Sequence, residues 1–251
     1  MLLLLRANFI LAKTLRKKIG GDITLLPKFS SKNKDEAWWI QDVSASVPAT
    51  LFKEFKGKRI IDLCAAPGGK SMQLTSLGAE VTCVDISSKR LKILEQNFKR
   101  IGLDYKIIVK DATKWMPMFE PDGILIDAPC SSTGTIKKHP DIMIFNYNPV
   151  SEKLLNTQEN LLSNASKYIK KDGYIIYTVC SLQKEEGEEQ IKKFINKNLN
   201  FKISKVLPKE VDKIFVTSIC KEGWMRIFPF CLEEFGGNDG FFICRLKKLD
   251  E

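Results

Sequence analysis

From Arg59 onward, short apolar runs alternate with longer segments of helical period, and this alternation narrows the possible folds more than any other feature. Ile60-Ile61-Asp62-Leu63 reads as a buried strand, and a Gly-rich turn leads from it into a helix from about Lys70 to Leu77. Val81 to Asp85 reads as a second strand, followed by a helix from Ser88 to Ile101 that Ser87 or Ser88 caps and Gly102 closes. Lys106 to Lys110 and Ile124 to Asp127 are the next strands. Ser151 to Lys170 is a long amphipathic helix stopped by Asp172-Gly173, Tyr174 to Val179 is a fifth strand, and Glu185 to Asn196 is another helix. Arg226 to Phe230 and Phe241 to Leu246 flank a turn-rich stretch, Gly236 to Gly240, and read as a terminal antiparallel hairpin. Strands that alternate with helices imply βαβ units, so the expected class is α/β, with a doubly wound and mostly parallel sheet.

A chain of 251 residues, 44% of them hydrophobic, can bury such a sheet without metal or disulfide staples. The apolar start Leu2 to Leu5 is broken by Arg6, and Lys13, Arg16, Lys17 and Lys18 follow. It has neither the length of a membrane span nor the layout of a signal peptide, so a soluble, cytoplasmic protein is expected. The seven cysteines form no C-x-x-C pair, and His139 is the only histidine. Reduced thiols and no metal are expected.

Forty Lys and Arg face thirty Asp and Glu, a net charge of +10. Residues 1–48 are the more basic part, with eight basic side chains against four acidic ones. Two readings stand: a polyanionic partner, most commonly nucleic acid, or a lysine-rich surface that only solubilises. Residues 1–48 are taken as a small basic N-terminal appendage, and residues 49–251 as the doubly wound domain. Trp38-Trp39-Ile40 is a short apolar run with strand character. The two tryptophans could stack on bases or pack between appendage and core.

Chemistry concentrates in three motifs. The first, Asp62-Leu63-Cys64-Ala65-Ala66-Pro67-Gly68-Gly69-Lys70-Ser71, sits at a strand-to-helix turn, where small residues let a ligand approach the backbone. Gly69-Lys70-Ser71 matches the end of a phosphate-binding P-loop, but Cys64 stands where that loop needs glycine, and Pro67 interrupts it. A nucleoside-cofactor loop instead requires an acidic residue closing the next strand. Asp85 is there, and Asp111 follows the strand after it. The second motif is Asp127-Ala128-Pro129-Cys130-Ser131-Ser132-Thr133-Gly134, and the third is Thr178-Val179-Cys180-Ser181. Both follow strands, so two thiols can reach the crevice at the carboxyl ends of the sheet. Cys83 and Cys244 lie inside strands and read as inert core thiols.

These residues resemble a family. DLCAAPGGK at 62–70, DAPCSSTG at 127–134 and VCS at 179–181 are similar to the Sun (Fmu-like) RNA cytosine-C5 methyltransferases. His139-Pro140-Asp141, Lys184-Glu185-Glu186 and Asp239-Gly240-Phe241-Phe242 resemble its bacterial ribosomal-RNA branch, RsmB. The resemblance spans essentially the whole chain and holds several motifs in order. Val179 departs from it, because the family usually has Thr there. Leu4 to Asn8 resembles a segment inside longer bacterial proteins, so the chain is expected to be a short or truncated relative without their upstream helical RNA-binding domain.

The resemblance implies a Rossmann-like domain that uses S-adenosylmethionine to make 5-methylcytosine in RNA, small-subunit ribosomal RNA above all. Transfer RNA as substrate, or a non-catalytic RNA-binding or assembly role, are the alternatives. By position, Cys64, Ala65, Ala66, Pro67, Gly68, Gly69 and Lys70 would wrap the methionine end of the cofactor. Asp85 would hold the ribose, Asp111 would sit by the adenine, and Arg90 is a further contact. Asp127 would lie between cofactor and base. Cys180 is implied as the nucleophile that adds to carbon 6 of cytosine, with Cys130 serving product release or proton handling. Lys70 is a candidate for lowering the thiol pKa. Lys137-Lys138-His139 could hold RNA phosphates or form a solvated turn. The chain is read as a monomer.

Overall fold

The computed structural model describes residues 23–25, 38–145, 150–233 and 236–250. The apolar start, the basic stretch near Ile10 to Ile19 and the polar segment Lys28 to Glu36 lie outside the described residues. Two short strands, β1 (Ile23–Leu25) and β2 (Trp38–Ile40), pair antiparallel with Ile23 opposite Ile40. Helix α1 (Val43–Thr50) follows, N-capped by the Asp42 side chain, which accepts from the Ser44 N–H. The division proposed at residue 48 falls inside this helix.

The main sheet opens with β3 (Arg59–Leu63) and β4 (Glu80–Asp85), linked by α2 (Gly69–Ser76). Helix α3 (Ser88–Ile101) leads to β5 (Lys106–Val109). The chain then crosses to the other side of β3 for β6 (Gly123–Asp127). A short helix α4 (Asp141–Phe145) and the long α5 (Glu152–Tyr168) precede β7 (Tyr174–Val179). Helix α6 (Glu188–Lys197), β8 (Phe201–Ile203), β9 (Met225–Ile227) and β10 (Phe241–Lys248) complete the chain. The spatial order is β5-β4-β3-β6-β7-β10-β8, with β9 also against β10. Strands β3 to β7 are mutually parallel, and β10 runs antiparallel to β7.

Alternate residues of these strands enter two separate cores. Ile60, Leu125 and Ile176 pack on one face of the sheet with Leu94 and Phe98 of α3. Ile61, Leu63, Ile124, Ile126 and Ile175 pack on the other with Leu161, Leu162 and Ala165 of α5. Burial on both faces explains why the parallel strands read as continuous apolar runs. The order reverses at β3, where the connections after β3 and β6 leave in opposite directions. This opens a crevice at the carboxyl ends of those strands.

The terminal hairpin forms, but differs from the expected one in detail. Its first strand is short, because Pro229 has no N–H to give to the ladder and Phe228 to Phe230 leave it. Its second strand lies inside the sheet between β7 and the β8/β9 edge.

That placement buries Arg245 of β10, whose side chain is 1% exposed. Its guanidinium donates to Glu210 Oε1 and Oε2, both at 2.9 Å, and to the carbonyls of Leu51 and Lys205, both at 2.8 Å. A lysine cannot reproduce this planar fork. Arg245→Lys is expected to cost about 2 kcal/mol in urea unfolding, the scale of one lost charge-assisted hydrogen bond. A cost near zero would show that the network adds nothing.

Candidate active site

The Gly-rich turn after β3 is shaped by its backbone. Cys64 and Gly68 have positive φ values of 65° and 107°. A Cβ on Gly68 would lie 2.9 Å from Leu94 Cγ, so glycine is needed there for both conformation and space. The Ala65 N–H donates to the Val84 carbonyl at 3.1 Å, and the Ala66 N–H to Asp85 Oδ2 at 3.2 Å. Asp85 Oδ1 accepts from the Ser87 N–H at 2.9 Å. Arg90 lies 3.7 Å from Asp85 and also donates to the Ala66 carbonyl, while Asn97 donates to the Pro67 carbonyl at 3.1 Å. The loop, Asp85 and Arg90 are thus one connected unit.

Cys64 is half-buried, and its thiol is pushed well above the ordinary range, first by desolvation and then by Asp85, Asp127 and Asp62. It is therefore a poor nucleophile. Its surroundings place three carboxylates around the carboxyl end of β3. Asp62 is 1% exposed. Its Oδ2 accepts from the Ser71 hydroxyl at 2.5 Å, but its buried Oδ1 has no partner. Burial is the main reason its pKa is pushed up to about 7.

The folded state therefore binds this proton more tightly than the unfolded chain does. Stability from this group is complete below about pH 4 and is lost as pH rises through about 7. An unpaired buried oxygen and a surplus of carboxylates suit a positively charged ligand. Asp111 lies next to this unit, because the Lys110 N–H donates to the Asp85 carbonyl at 3.1 Å. The Thr113 hydroxyl, at 2.7 Å, and backbone N–H, at 2.9 Å, hold Asp111 below the ordinary carboxylate range. Ile86, immediately after Asp85, is 70% exposed and offers an apolar surface beside it.

Strands β6 and β7 carry the other two motifs. Asp127 and Thr178 are register partners, and the Ala128 N–H donates to the Thr178 carbonyl at 3.0 Å. This pairing brings Cys130 Sγ within 3.5 Å of Cys180 Sγ. Ser132 Oγ lies 3.5 Å from the same Cys180 sulfur. Cys180 is pulled below the ordinary thiol range, chiefly by the hydrogen bond from Cys130, and Cys130 is pushed above it by the same bond and by burial. Of the two, Cys180 is therefore the thiol that ionises more readily.

Lys70 contributes less to this than expected. Burial pushes its ammonium pKa down, but Asp127, 2.7 Å away, more than offsets this and keeps it above its ordinary value. Its effect on Cys180 is smaller than those of Cys130 and Ser132. Cys130→Ala is expected to shift the alkylation midpoint of Cys180 to higher pH, measured as the rate with iodoacetamide against pH. An unchanged midpoint would assign the activation elsewhere.

The loop carrying Cys130 is clamped from behind. Glu186 is fully buried; Oε1 accepts from the Ser131 N–H at 2.9 Å and from Gln158 Nε2 at 3.1 Å, and Oε2 from the Ser131 hydroxyl at 2.5 Å. The Gly134 N–H donates to the Cys180 carbonyl at 3.0 Å, and the Gly240 N–H to the Gly134 carbonyl at 2.8 Å. A Cβ on Gly134 would lie 2.1 Å from the Gly240 carbonyl oxygen, so only glycine fits. Val179, where Thr was expected, is fully buried in the apolar core, while Thr178 donates to the Phe242 carbonyl at 2.9 Å.

Trp39 and Lys138 are both engaged within the fold. Trp39 is 4% exposed and donates to Gln41 Oε1 at 2.7 Å, so it packs rather than offering a face for stacking. Lys138 is tied to Asp42 at 2.7 Å and Asp239 at 2.9 Å and joins α1 to the hairpin. Lys137 and His139 remain exposed. Asp62, Ile86, Ser132 and Glu186 were not singled out as site residues. Asp62, Ser132 and Glu186 stand inside motifs named above, and Ile86 has a local signal of its own, an apolar residue directly after a strand-closing acid. Among the described residues, no group of His, Cys, Asp and Glu could hold a metal, and no helix is long and apolar enough to cross a membrane.

A parallel sheet with a Gly-rich first loop, acids closing successive strands and a crevice at the order reversal defines a Rossmann-like S-adenosylmethionine-dependent methyltransferase fold. A family model described as 16S rRNA methyltransferase RsmB/F matches residues 49–247, and the chain belongs to that family. Ribosomal RNA small subunit methyltransferase B of Photorhabdus laumondii is 34% identical over 232 residues, covering 90% of this chain and 49% of its own length. The protein of the same name from Shewanella oneidensis is 35% identical, with 90% and 50% covered. The chain thus spans about half the length of these curated relatives. A crystal structure of NSun6 from Pyrococcus horikoshii with SFG superposes with a TM-score of 0.72 at 27% identity, covering 90% of this chain and 57% of that one. A methyltransferase homolog protein from the same organism gives 0.67 at 25% identity, covering 96% and 82%.

Proposed function

We propose that this chain carries the catalytic domain of an S-adenosylmethionine-dependent RNA (cytosine-5-)-methyltransferase that forms 5-methylcytosine in small-subunit ribosomal RNA. The observation that carries the reading is the Cys130–Cys180 pair, 3.5 Å apart and shifted in opposite directions, beside the loop of the first motif. The names of the relatives support ribosomal RNA as substrate. SFG, held by the NSun6 relative, is an S-adenosylmethionine analogue and supports that cofactor.

The residues fit the cofactor. When bound, it supplies an electrophilic methyl group on a positively charged sulfur. Asp62 and the turn from Cys64 to Lys70 would hold its methionine end, and the orphaned Asp62 oxygen suits an ammonium group. The Asp85 oxygens keep lone pairs for ribose hydroxyls, and Asp111 and Ile86 would flank the adenine. Arg90 acts through Asp85 and the Ala66 carbonyl.

Carbon 5 of cytosine is too poor a nucleophile for direct methylation. The Cys180 thiolate adds to carbon 6, and the electron pair displaced toward carbon 5 makes that atom nucleophilic. After methylation, the carbon 5 proton leaves to a base and the sulfur–carbon 6 bond breaks, which restores aromaticity and the thiolate. Asp127, held by Lys70 through one oxygen, has its other oxygen to hydrogen-bond the cytosine edge. Cys130 donates to the Cys180 sulfur and is assigned to proton handling and product release. The target base must leave its stack to reach the pair. The basic side chains of residues 1–48 and Lys137 would hold RNA phosphates, and a cytoplasmic monomer is the proposed state.

The proposal is tested by incubating the protein with methyl-labelled S-adenosylmethionine and unmodified 16S rRNA, then digesting the RNA to nucleosides. Label in 5-methylcytidine is expected. Label in another nucleoside would contradict the reading. So would the absence of label from a protein that binds the cofactor.

The Asp62 role has its own signature. Cofactor affinity, measured by calorimetry, is expected to rise about tenfold per pH unit from pH 5 to 7 and then level off, because a cationic ligand needs the carboxylate ionised. Asp62→Asn is expected to bind weakly at every pH. A flat profile in the parent protein would remove Asp62 from the cofactor site.

A further inference from the structure

We infer that Phe228 and Phe230 form a stacking platform for an unpaired nucleobase neighbouring the cytosine that enters the cysteine crevice. This rests on the RNA methyltransferase reading above and adds a binding site to it. The two rings lie parallel, 5.3 Å between centroids and 4° between planes, and are 41% and 65% exposed. Their segment leaves the sheet at Pro229, so their position comes from a dedicated loop. That loop is built around Asn238, which is 2% exposed. Asn238 Nδ2 donates to the Phe228 carbonyl at 2.9 Å, its N–H donates to the Pro229 carbonyl at 3.0 Å, and its Oδ1 accepts from the Leu232 N–H at 3.1 Å.

Two observations indicate what the platform receives. The first is its location. A Cβ on Gly240 would lie 3.3 Å from Pro229 Cδ and 3.1 Å from Gly134 Cα, and the Gly134 N–H holds the Cys180 carbonyl. The aromatic pair is thus joined to the nucleophile through Pro229, Gly240 and Gly134. The second is charge. A Cβ on Gly237 would lie 2.9 Å from the Pro229 carbonyl oxygen and 3.1 Å from Lys137 Nζ, so an exposed lysine stands beside the Pro229 turn that carries the two rings.

An aromatic face with an adjacent ammonium complements a base and its phosphate. A sandwich between the rings would need about 7 Å, twice the ~3.4 Å rise of stacked bases, so the base stacks on an outer face. The occupant is single-stranded RNA, because a base inside a duplex offers no free face.

The test measures binding of fluorescein-labelled decacytidylate, and of an abasic ribose-phosphate oligomer of equal length, to the full chain with S-adenosylmethionine present. The variants are Phe228→Leu/Phe230→Leu, which keeps apolar bulk, Phe230→Trp, which keeps the stacking face, and Lys137→Gln. The double leucine variant is expected to bind decacytidylate about tenfold more weakly, with unchanged salt dependence and unchanged cofactor affinity. Phe230→Trp retains affinity, and the abasic oligomer does not distinguish parent from leucine variant. Lys137→Gln weakens both oligomers and lowers the salt slope by about one.

Equal binding of decacytidylate by parent and leucine variant, while the parent still methylates RNA, would overturn the platform and leave the proposed function standing. The same holds if the leucine change abolishes self-association instead of RNA binding. A parent chain that neither binds nor methylates any RNA would overturn both.

Discussion

Replacing Cys180 with alanine is expected to lower the single-turnover rate of cytosine methylation by about 10⁴-fold or more, the scale of losing a covalent nucleophile. Cofactor affinity should stay within about twofold, because the first-motif loop and Asp85 hold each other through bonds that do not involve Cys180. The asymmetry of the pair makes the prediction specific. Cys180 has its pKa lowered by the hydrogen bond from Cys130, whereas Cys130 is raised by the same bond and by burial. Cys130→Ala should therefore still form the covalent adduct but release product slowly. A larger loss from Cys130→Ala than from Cys180→Ala, in the adduct-forming step, would exchange the two roles.

Glu186→Ala is expected to cost about 2–4 kcal/mol of stability in urea unfolding. It removes a fully buried carboxyl, leaves the Ser131 N–H without its acceptor, and reduces the Ser131 hydroxyl to its contact with Ser181 Oγ and Gln158 Nε2 to the Pro129 carbonyl. Glu186→Gln keeps the shape and one acceptor oxygen and should cost about half as much. Ser131 follows Cys130 directly, so the same change should also slow methylation in whatever protein remains folded. A cost under ~1 kcal/mol for Glu186→Ala would mean that water replaces the carboxylate and the loop does not depend on it.

The sequence carried the parallel half of the fold well, because strands buried on both faces are apolar without interruption. Tyr174–Val179 and Ser88–Ile101 appear with the expected bounds, and the other parallel strands and the main helices differ by a few residues. The antiparallel half was harder to read. β8 has three residues, too few to show a period, and its place beside β10 depends on long-range pairing. Helix α1 has Ser44, Ser46 and Pro48 on its buried side, so no apolar stripe marks it.

The site was readable where function and local structure coincide, as in the turn after β3 and the two cysteine motifs. Strand ends and a crevice at the order reversal were enough to bring Cys130 and Cys180 into one place. The support behind them was not readable. Glu186 lies 55 residues from Ser131 in sequence, and nothing near either residue announces their contact. Lys70, an obvious charge, is a candidate for lowering the Cys180 pKa and does lower it, but Cys130 supplies the larger effect through a contact visible only in three dimensions.

The most direct test of the account is a covalent trap. RNA containing 5-fluorocytosine is incubated with S-adenosylmethionine and the parent chain, Cys180→Ala or Cys130→Ala, then denatured and resolved by size. Fluorine replaces the proton that must leave carbon 5, so the methylated adduct cannot eliminate the sulfur. The account predicts a cofactor-dependent protein–RNA adduct with the parent and with Cys130→Ala, and none with Cys180→Ala. An adduct that persists in Cys180→Ala and disappears in Cys130→Ala would contradict the assignment of the nucleophile. No adduct from a parent chain that methylates the normal RNA would contradict covalent catalysis itself.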